Sequence, residues 1–112
     1  MNADEIIKQL EDVIEQKIPM SPSYWLDQSE KLAVIWGDET DKLFKLKKEV
    51  AMAKVAWLNQ GKSSVEAKTR VEATDLYEQM EIQRSKIEQI KEIIRIAKLQ
   101  SKMRQDEFQN QF

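Results

Sequence analysis

The side chains here that could do chemistry are cations. Arg84, Lys91, Arg95, Lys98 and Lys102 recur at helical spacing. At 100° per residue they fall within about ±40° of one another on a helical wheel. Residues 84–104 hold seven Lys and Arg against Glu88 and Glu92, and a second cluster, Lys45, Lys47, Lys48 and Lys54, lies earlier in the chain. A row of such cations exchanges counterions for a nucleic-acid backbone, which makes salt-sensitive binding its natural chemistry. The same row also reads as the solvated face of an amphipathic helix. Acids decide between the two. Residues 1–30 hold seven Asp and Glu against Lys8 and Lys17. If acids of that first segment pair with Arg95 and Lys98, no open track remains.

Bond-making chemistry has little to work with. The 112 residues include no Cys and no His. Zinc, haem, iron–sulfur and disulfide sites, and nucleophile–histidine pairs, therefore lose a key residue. The chain reads as a non-enzyme, with no cofactor, metal or small-molecule substrate expected. Asp38/Asp41 and Asp4/Glu5 are helix-start charges favoured by the dipole. Gly61-Lys62-Ser63-Ser64 has a phosphate-friendly composition, but no strand precedes it and P-loop spacing is absent. A helix-capping turn accounts for it. With 34% charged residues and a mean hydropathy of −0.64, the chain reads as soluble. No apolar run approaches the ~18–20 residues that cross a bilayer, so no membrane is expected. The acidic start lacks an apolar leader core, so a cytoplasmic location is expected.

Helices must position these cations, and Gly and Pro mark their ends. Asn2 with Glu5 reads as a capping box opening a first helix, 3–18, whose apolar set is Ile6, Ile7, Leu10, Val13 and Ile14. Pro19 and Pro22 stop it, and Ser21 caps the next. A second helix, 22–59, is expected to span ~57 Å. Its 3–4 register runs Trp25, Ser29, Leu32, Trp36, Glu39, Leu43, Leu46, Val50, Ala53, Trp57, a heptad seam with eight of ten positions apolar. Gly37 is the place for a kink or break. Gly61 supplies a left-handed stop, and Ser63 with Glu66 repeats the capping box. A third helix, 64–107, follows without Gly or Pro, and 108–112 is expected to fray. The expected class is all-α: one domain, 1–112, with a short N-terminal helix and a long, coiled-coil-like antiparallel hairpin.

The third helix carries a wide apolar arc, with Ile82, Ile87, Ile90, Ile93, Ile94, Ile96 and Ala97 covering roughly 180° where one partner needs ~100°. Self-association is the expected solution, with Ile87, Ile90 and Ile94 joining Trp25, Leu32, Trp36, Leu43, Val50 and Trp57 in core or oligomer seams. The three tryptophans share the seam, which favours packing over base stacking. The final run Gln105-Asp-Glu-Phe-Gln-Asn-Gln-Phe112 is polar with two aromatics, a composition that suits a docking peptide.

Several segments carry one further pattern: Glu5-Ile-Ile-Lys-Gln-Leu10, Tyr24-Trp25-Leu26, the basic, alanine-rich Lys47-Lys48-Glu49-Val50-Ala51-Met52-Ala53-Lys54, Asp75-Leu76-Tyr77, Ile90 to Ile96, Met103-Arg104 and Glu107-Phe108. Together they resemble the recombination mediators of T-even phages, the UvsY type. That resemblance implies an oligomeric helical protein of a phage-infected host's cytoplasm. It would bind single-stranded DNA, contact a single-strand-binding protein and a strand-exchange recombinase, and help the second displace the first. It also implies DNA contacts at Lys47, Lys48 and Lys54. The chain departs from the pattern at Val55-Ala56-Trp57-Leu58, which is apolar where another cation belongs. Lys91, Arg95, Lys98 and Lys102 add a second candidate track. The rival expectations are a helical adaptor or inhibitor that docks a protein, and a virion assembly component that forms polymers.

Overall fold

A computed structural model describes residues 3–110. Its elements are four helices, α1 (Ala3–Glu15), α2 (Pro22–Asn59), α3 (Ser64–Glu72) and α4 (Asp75–Asn110), with no strand among the described residues. The all-α class, a short first helix followed by a helical hairpin, is the one expected. Asn2 and the last two residues of the supposed docking tail lie outside the described residues. α4 runs on to Asn110, past the expected end at Glu107.

Side chains at the turns explain the helix ends. α1 closes with Lys17 N–H bonded to the Ile14 carbonyl at 3.2 Å and Ile18 N–H to the Val13 carbonyl at 3.1 Å. This paired closure needs a left-handed residue, and Lys17 takes that role at φ 54°. Ser21 then caps α2 by accepting from the Tyr24 N–H at 3.2 Å. At the far end of α2 the same closure recurs with Gly61 at φ 86°, its N–H on the Leu58 carbonyl and the Lys62 N–H on the Trp57 carbonyl. Ser63 caps α3 by accepting from the Glu66 N–H at 3.1 Å, as its spacing predicts. α2 is helical throughout, so Gly37 does not break it.

The expected single helix over 64–107 is interrupted instead. Thr74 ends α3 and starts α4: its hydroxyl donates to the Val71 carbonyl at 2.6 Å and accepts from the Tyr77 N–H at 3.3 Å. A threonine that satisfies backbone groups on both sides competes with the helix without Gly or Pro. Asp75 and Glu78 then place negative charge in the first turn of α4.

The chain divides into two compact units. The first comprises the chain up to Gly37 together with Glu88 onward, and the second is Asp38–Ile87. In the first unit, Ile6, Ile7, Leu10 and Val13 of α1 pack with Trp25 and Leu32 of α2 and with Ile90, Ile93 and Ala97 of α4. The Ser101 hydroxyl donates to the Pro22 carbonyl at 3.1 Å, which sets α2 and α4 antiparallel there. In the second unit Leu43, Met80 and Ile87 form the core, with Leu46, Val50 and Tyr77 against it. Its antiparallel register is set by the Gln83 amide, which donates to the Glu39 carbonyl at 2.8 Å. Each unit has its own apolar centre, and α1 contributes to the first alone.

Two seam assignments change. Trp36 is 38% exposed, and Ile35 packs on the first core in its place. Ile35 lines a groove with Ile6 of α1, so the side of α2 that meets α1 takes Ile35 rather than Trp36. Trp57 is half-buried and lies under the Arg70 guanidinium at 4.8 Å, a cation–π contact at the end of α2. Trp25 alone of the three is core, at 2% exposed.

The wide apolar arc of α4 is also accounted for within the chain. In the first unit it faces two helices, α1 and α2, so Ile90, Ile93 and Ala97 are buried without a second copy. Those three positions of the arc are thus covered by α1 and α2 of the same chain. Ile82, Leu99 and Met103 remain exposed on α4.

Candidate nucleic-acid interface

α4 presents the cationic stripe as its spacing predicts, but not every member is available. Arg95 is clamped by Glu92 of its own helix, with guanidinium nitrogens 2.6–3.1 Å from both carboxylate oxygens. These hydrogen bonds hold the Glu92 carboxyl below its ordinary range and push the Arg95 guanidinium up. Arg84 pairs with Glu81 at 3.2 Å, and Lys86 reaches Glu39 at 3.6 Å. Lys91, Lys98 and Lys102 are exposed, and none of the three forms an ion pair among the described residues. They stand at i, i+7 and i+11, one lane about 16 Å long. All three belong to the first unit.

The α2 lysines belong to the second unit and do not form one lane. Lys47 and Lys54 are seven residues apart and share a face, whereas Lys48 is turned away from it by roughly 100°. The Lys47 ammonium sits 5.7 Å from the centroid of the Phe44 ring. Lys48 lines a shallow apolar groove with Ala51, Met52, Val55 and Ala56. Lys54 is half-buried. The resemblance-based set therefore borders an apolar groove, whereas the α4 set is a lane of exposed lysines with Leu99 and Met103 exposed beside it.

The second unit also holds a buried carboxylate that the sequence placed in the seam without a role. Glu39 is 6% exposed. It accepts from the Gln83 amide at 2.6 Å and meets Lys42 at 3.2 Å and Lys86 at 3.6 Å. Burial pushes its pKa up, but the Gln83 and Lys42 hydrogen bonds and the Lys86 and Lys42 charges outweigh burial, and the net shift is downward. Glu39 thus stays ionised inside the unit and ties α2 to α4.

Phe44, 61% exposed on α2, is a surface aromatic that the seam reading passed over. Its signal was its place off the seam, next to Lys45, Lys47 and Lys48. The Gly61–Ser64 turn offers no phosphate cradle, since the Ser63 hydroxyl is taken by the Glu66 N–H. Among the described residues no cluster of acids could hold a metal ion, and no helix is long and apolar enough to cross a membrane. Compared with known proteins, the chain matches no family model, no curated protein and no solved structure.

Proposed function

We propose that this chain is a non-enzymatic accessory protein that binds single-stranded DNA. In the manner its resemblance to the recombination mediators implies, it would act as an oligomer and assist a recombinase in taking over a strand held by a single-strand-binding protein. The observation that carries the reading is the lane of Lys91, Lys98 and Lys102, exposed and without ion pairs among the described residues while Arg95 beside them is tied to Glu92. Lys47, Lys48 and Lys54 form the second contact set. Repetition of both sets in an oligomer multiplies a modest affinity through effective concentration. No bond is made or broken; competing affinities decide which protein occupies the strand.

The test is anisotropy of a labelled single-stranded oligonucleotide at about 50 and 200 mM salt, with light scattering for mass. The three α4 lysines and the three α2 lysines together predict a log–log salt slope near −4, from about −0.7 per contact. Lys91→Glu/Lys98→Glu/Lys102→Glu should remove about half of that slope. Lys47→Glu/Lys48→Glu should weaken binding at unchanged mass. No binding at the lower salt, or triple-variant binding equal to wild type, overturns the reading.

A second reading, a protein-docking adaptor, is favoured by a separate observation: the apolar groove on α2.

A further inference from the structure

α2 carries two apolar faces in the second unit, and only one is used. Leu43, Leu46 and Val50 face the core. On the other side Phe44, Ala51, Val55 and Leu58 repeat at i, i+7, i+11 and i+14, with Met52 beside them. Phe44, Met52 and Val55 are 61%, 62% and 52% exposed. Part of this stripe, with Lys48 at its edge, forms the shallow groove along α2. Heptad spacing of exposed side chains over about 21 Å is the signature of a helix that packs against another helix. A contiguous exposed apolar patch of this kind marks an interaction surface.

Charge around the stripe selects the occupant. Residues 44–59 hold Lys45, Lys47, Lys48 and Lys54 against Glu49, and none of the four lysines forms an ion pair among the described residues. A second copy of this same segment would set those lysines against each other, since a two-fold contact pairs a patch with itself. The acidic α1 of another copy has no apolar face to offer, because Ile6, Ile7, Leu10 and Val13 are already buried in the first unit. A nucleic-acid strand could stack on Phe44, but Ala51, Val55 and Leu58 present no π face.

We infer that the Phe44–Leu58 stripe of α2 docks an acidic amphipathic helix of a partner protein. Leucine-type side chains of the partner would enter the groove beside Val55, and its flanking carboxylates would meet Lys48 and the neighbouring lysines. The inference goes beyond the single-strand reading and does not depend on the α4 lysines.

The experiment uses the full-length protein and a fluorescent synthetic helix of about three heptads, with Leu at a and d and Glu at e and g. A scrambled peptide of the same composition is the control. Saturable binding of the patterned peptide at least tenfold tighter than the scrambled one is expected, with a several-fold loss between about 50 and 500 mM salt. Val55→Ser should weaken it about tenfold and Lys48→Gln several-fold, with unchanged helicity by circular dichroism because neither residue is in a core. Equal binding of the scrambled peptide, or full affinity in Val55→Ser, overturns the inference. So does a wild-type dimer that Val55→Ser dissociates, which would give the stripe to a second copy. Loss of oligonucleotide binding in Val55→Ser with peptide binding intact would give it to nucleic acid, and would equally overturn it.

Discussion

Replacing Glu39 by alanine removes the one buried carboxylate that crosses from α2 to α4 in the second unit. The Gln83 amide then loses its 2.6 Å acceptor but keeps the Glu39 backbone carbonyl at 2.8 Å. A hydrogen bond to a charged group contributes about 1.5–3 kcal/mol. The Lys42 side chain is 62% exposed, so its ion pair adds little beyond that. Alanine returns a few tenths of a kcal/mol in helix propensity. The expected net cost is about 2 kcal/mol. Unfolding entropy near ~2 cal/mol/K per residue turns that into a fall of roughly 8 °C in Tm for 112 residues. Thermal and urea unfolding followed by circular dichroism at pH 7 measure it. The pH dependence has a fixed sign. Because the folded pKa of Glu39 lies below its ordinary value of 4.5, its charge stabilises the fold at all pH above that value. The contribution fades as pH falls through the folded pKa. The gap between wild type and Glu39→Ala should therefore narrow on acidification below about 4.5 and not widen. A cost under about 0.5 kcal/mol, or strict additivity of Glu39→Ala with Gln83→Ala, would refute the reasoning, since coupled partners must show an interaction energy.

Three further outcomes follow from the fold. Lys17→Gly should raise stability by about 0.5–1 kcal/mol, because it relieves a left-handed lysine, offset in part by the entropy glycine adds to the unfolded chain. Unchanged or lower Tm would contradict it. Gly61→Ala should cost about 1–2 kcal/mol from backbone strain alone, because a Cβ there meets nothing within 4 Å. Urea midpoints are the measure. Leu10→Ala, at a site with no solvent exposure, should cost about 2–5 kcal/mol. It should also expose the α4 isoleucines, with dye binding or a gain in mass as the readout.

Much of this architecture was legible in the sequence because it rests on local chemistry. Gly61 and Ser63 close α2 and open α3 through backbone geometry that two residue types announce. Ser21 at the start of α2 is of the same kind. Thr74 was not legible: threonine occurs inside helices as well, and only its simultaneous bonds to Val71 and Tyr77 make it a boundary. The exchange of Trp36 for Ile35 reflects the side of α2 that α1 covers, where Ile35 and Ile6 line one groove, and a heptad count along α2 alone carries no record of α1. The amphipathic face of α1 was plain, but its partner was not: only the fold shows that α1 lies on Ile90, Ile93 and Ala97 of α4. On the candidate interface, spacing placed the α4 cations on one face. The Arg95–Glu92 clamp, an i, i+3 pair, was there to be read and removes one of them. The exposed stripe beginning at Phe44 is not announced by the heptad seam of α2, because it lies on the other side of that helix from Leu43, Leu46 and Val50.

The second unit, Asp38–Ile87, is a single stretch of fifty residues inserted between the two chain segments that make the first. That nesting gives the folding reaction an order. The inner unit closes through the short Asn59–Ser64 turn and the Thr74 junction, so its α2–α4 pairings are nearer in sequence than those of the outer unit and form before them. The outer unit must bring Gly37 and Glu88 together, a closure that costs on the order of 3–4 kcal/mol for a loop of that length when the loop is unstructured. Once the inner unit has folded, the effective loop is far shorter and most of that entropy has already been spent. On that route α2 and α4 close from the turn outwards, so the amides of Val50 and Tyr77 should gain protection before those of Leu43 and Ile87, and the α2–α4 contacts around Leu32 and Ile90 should follow both.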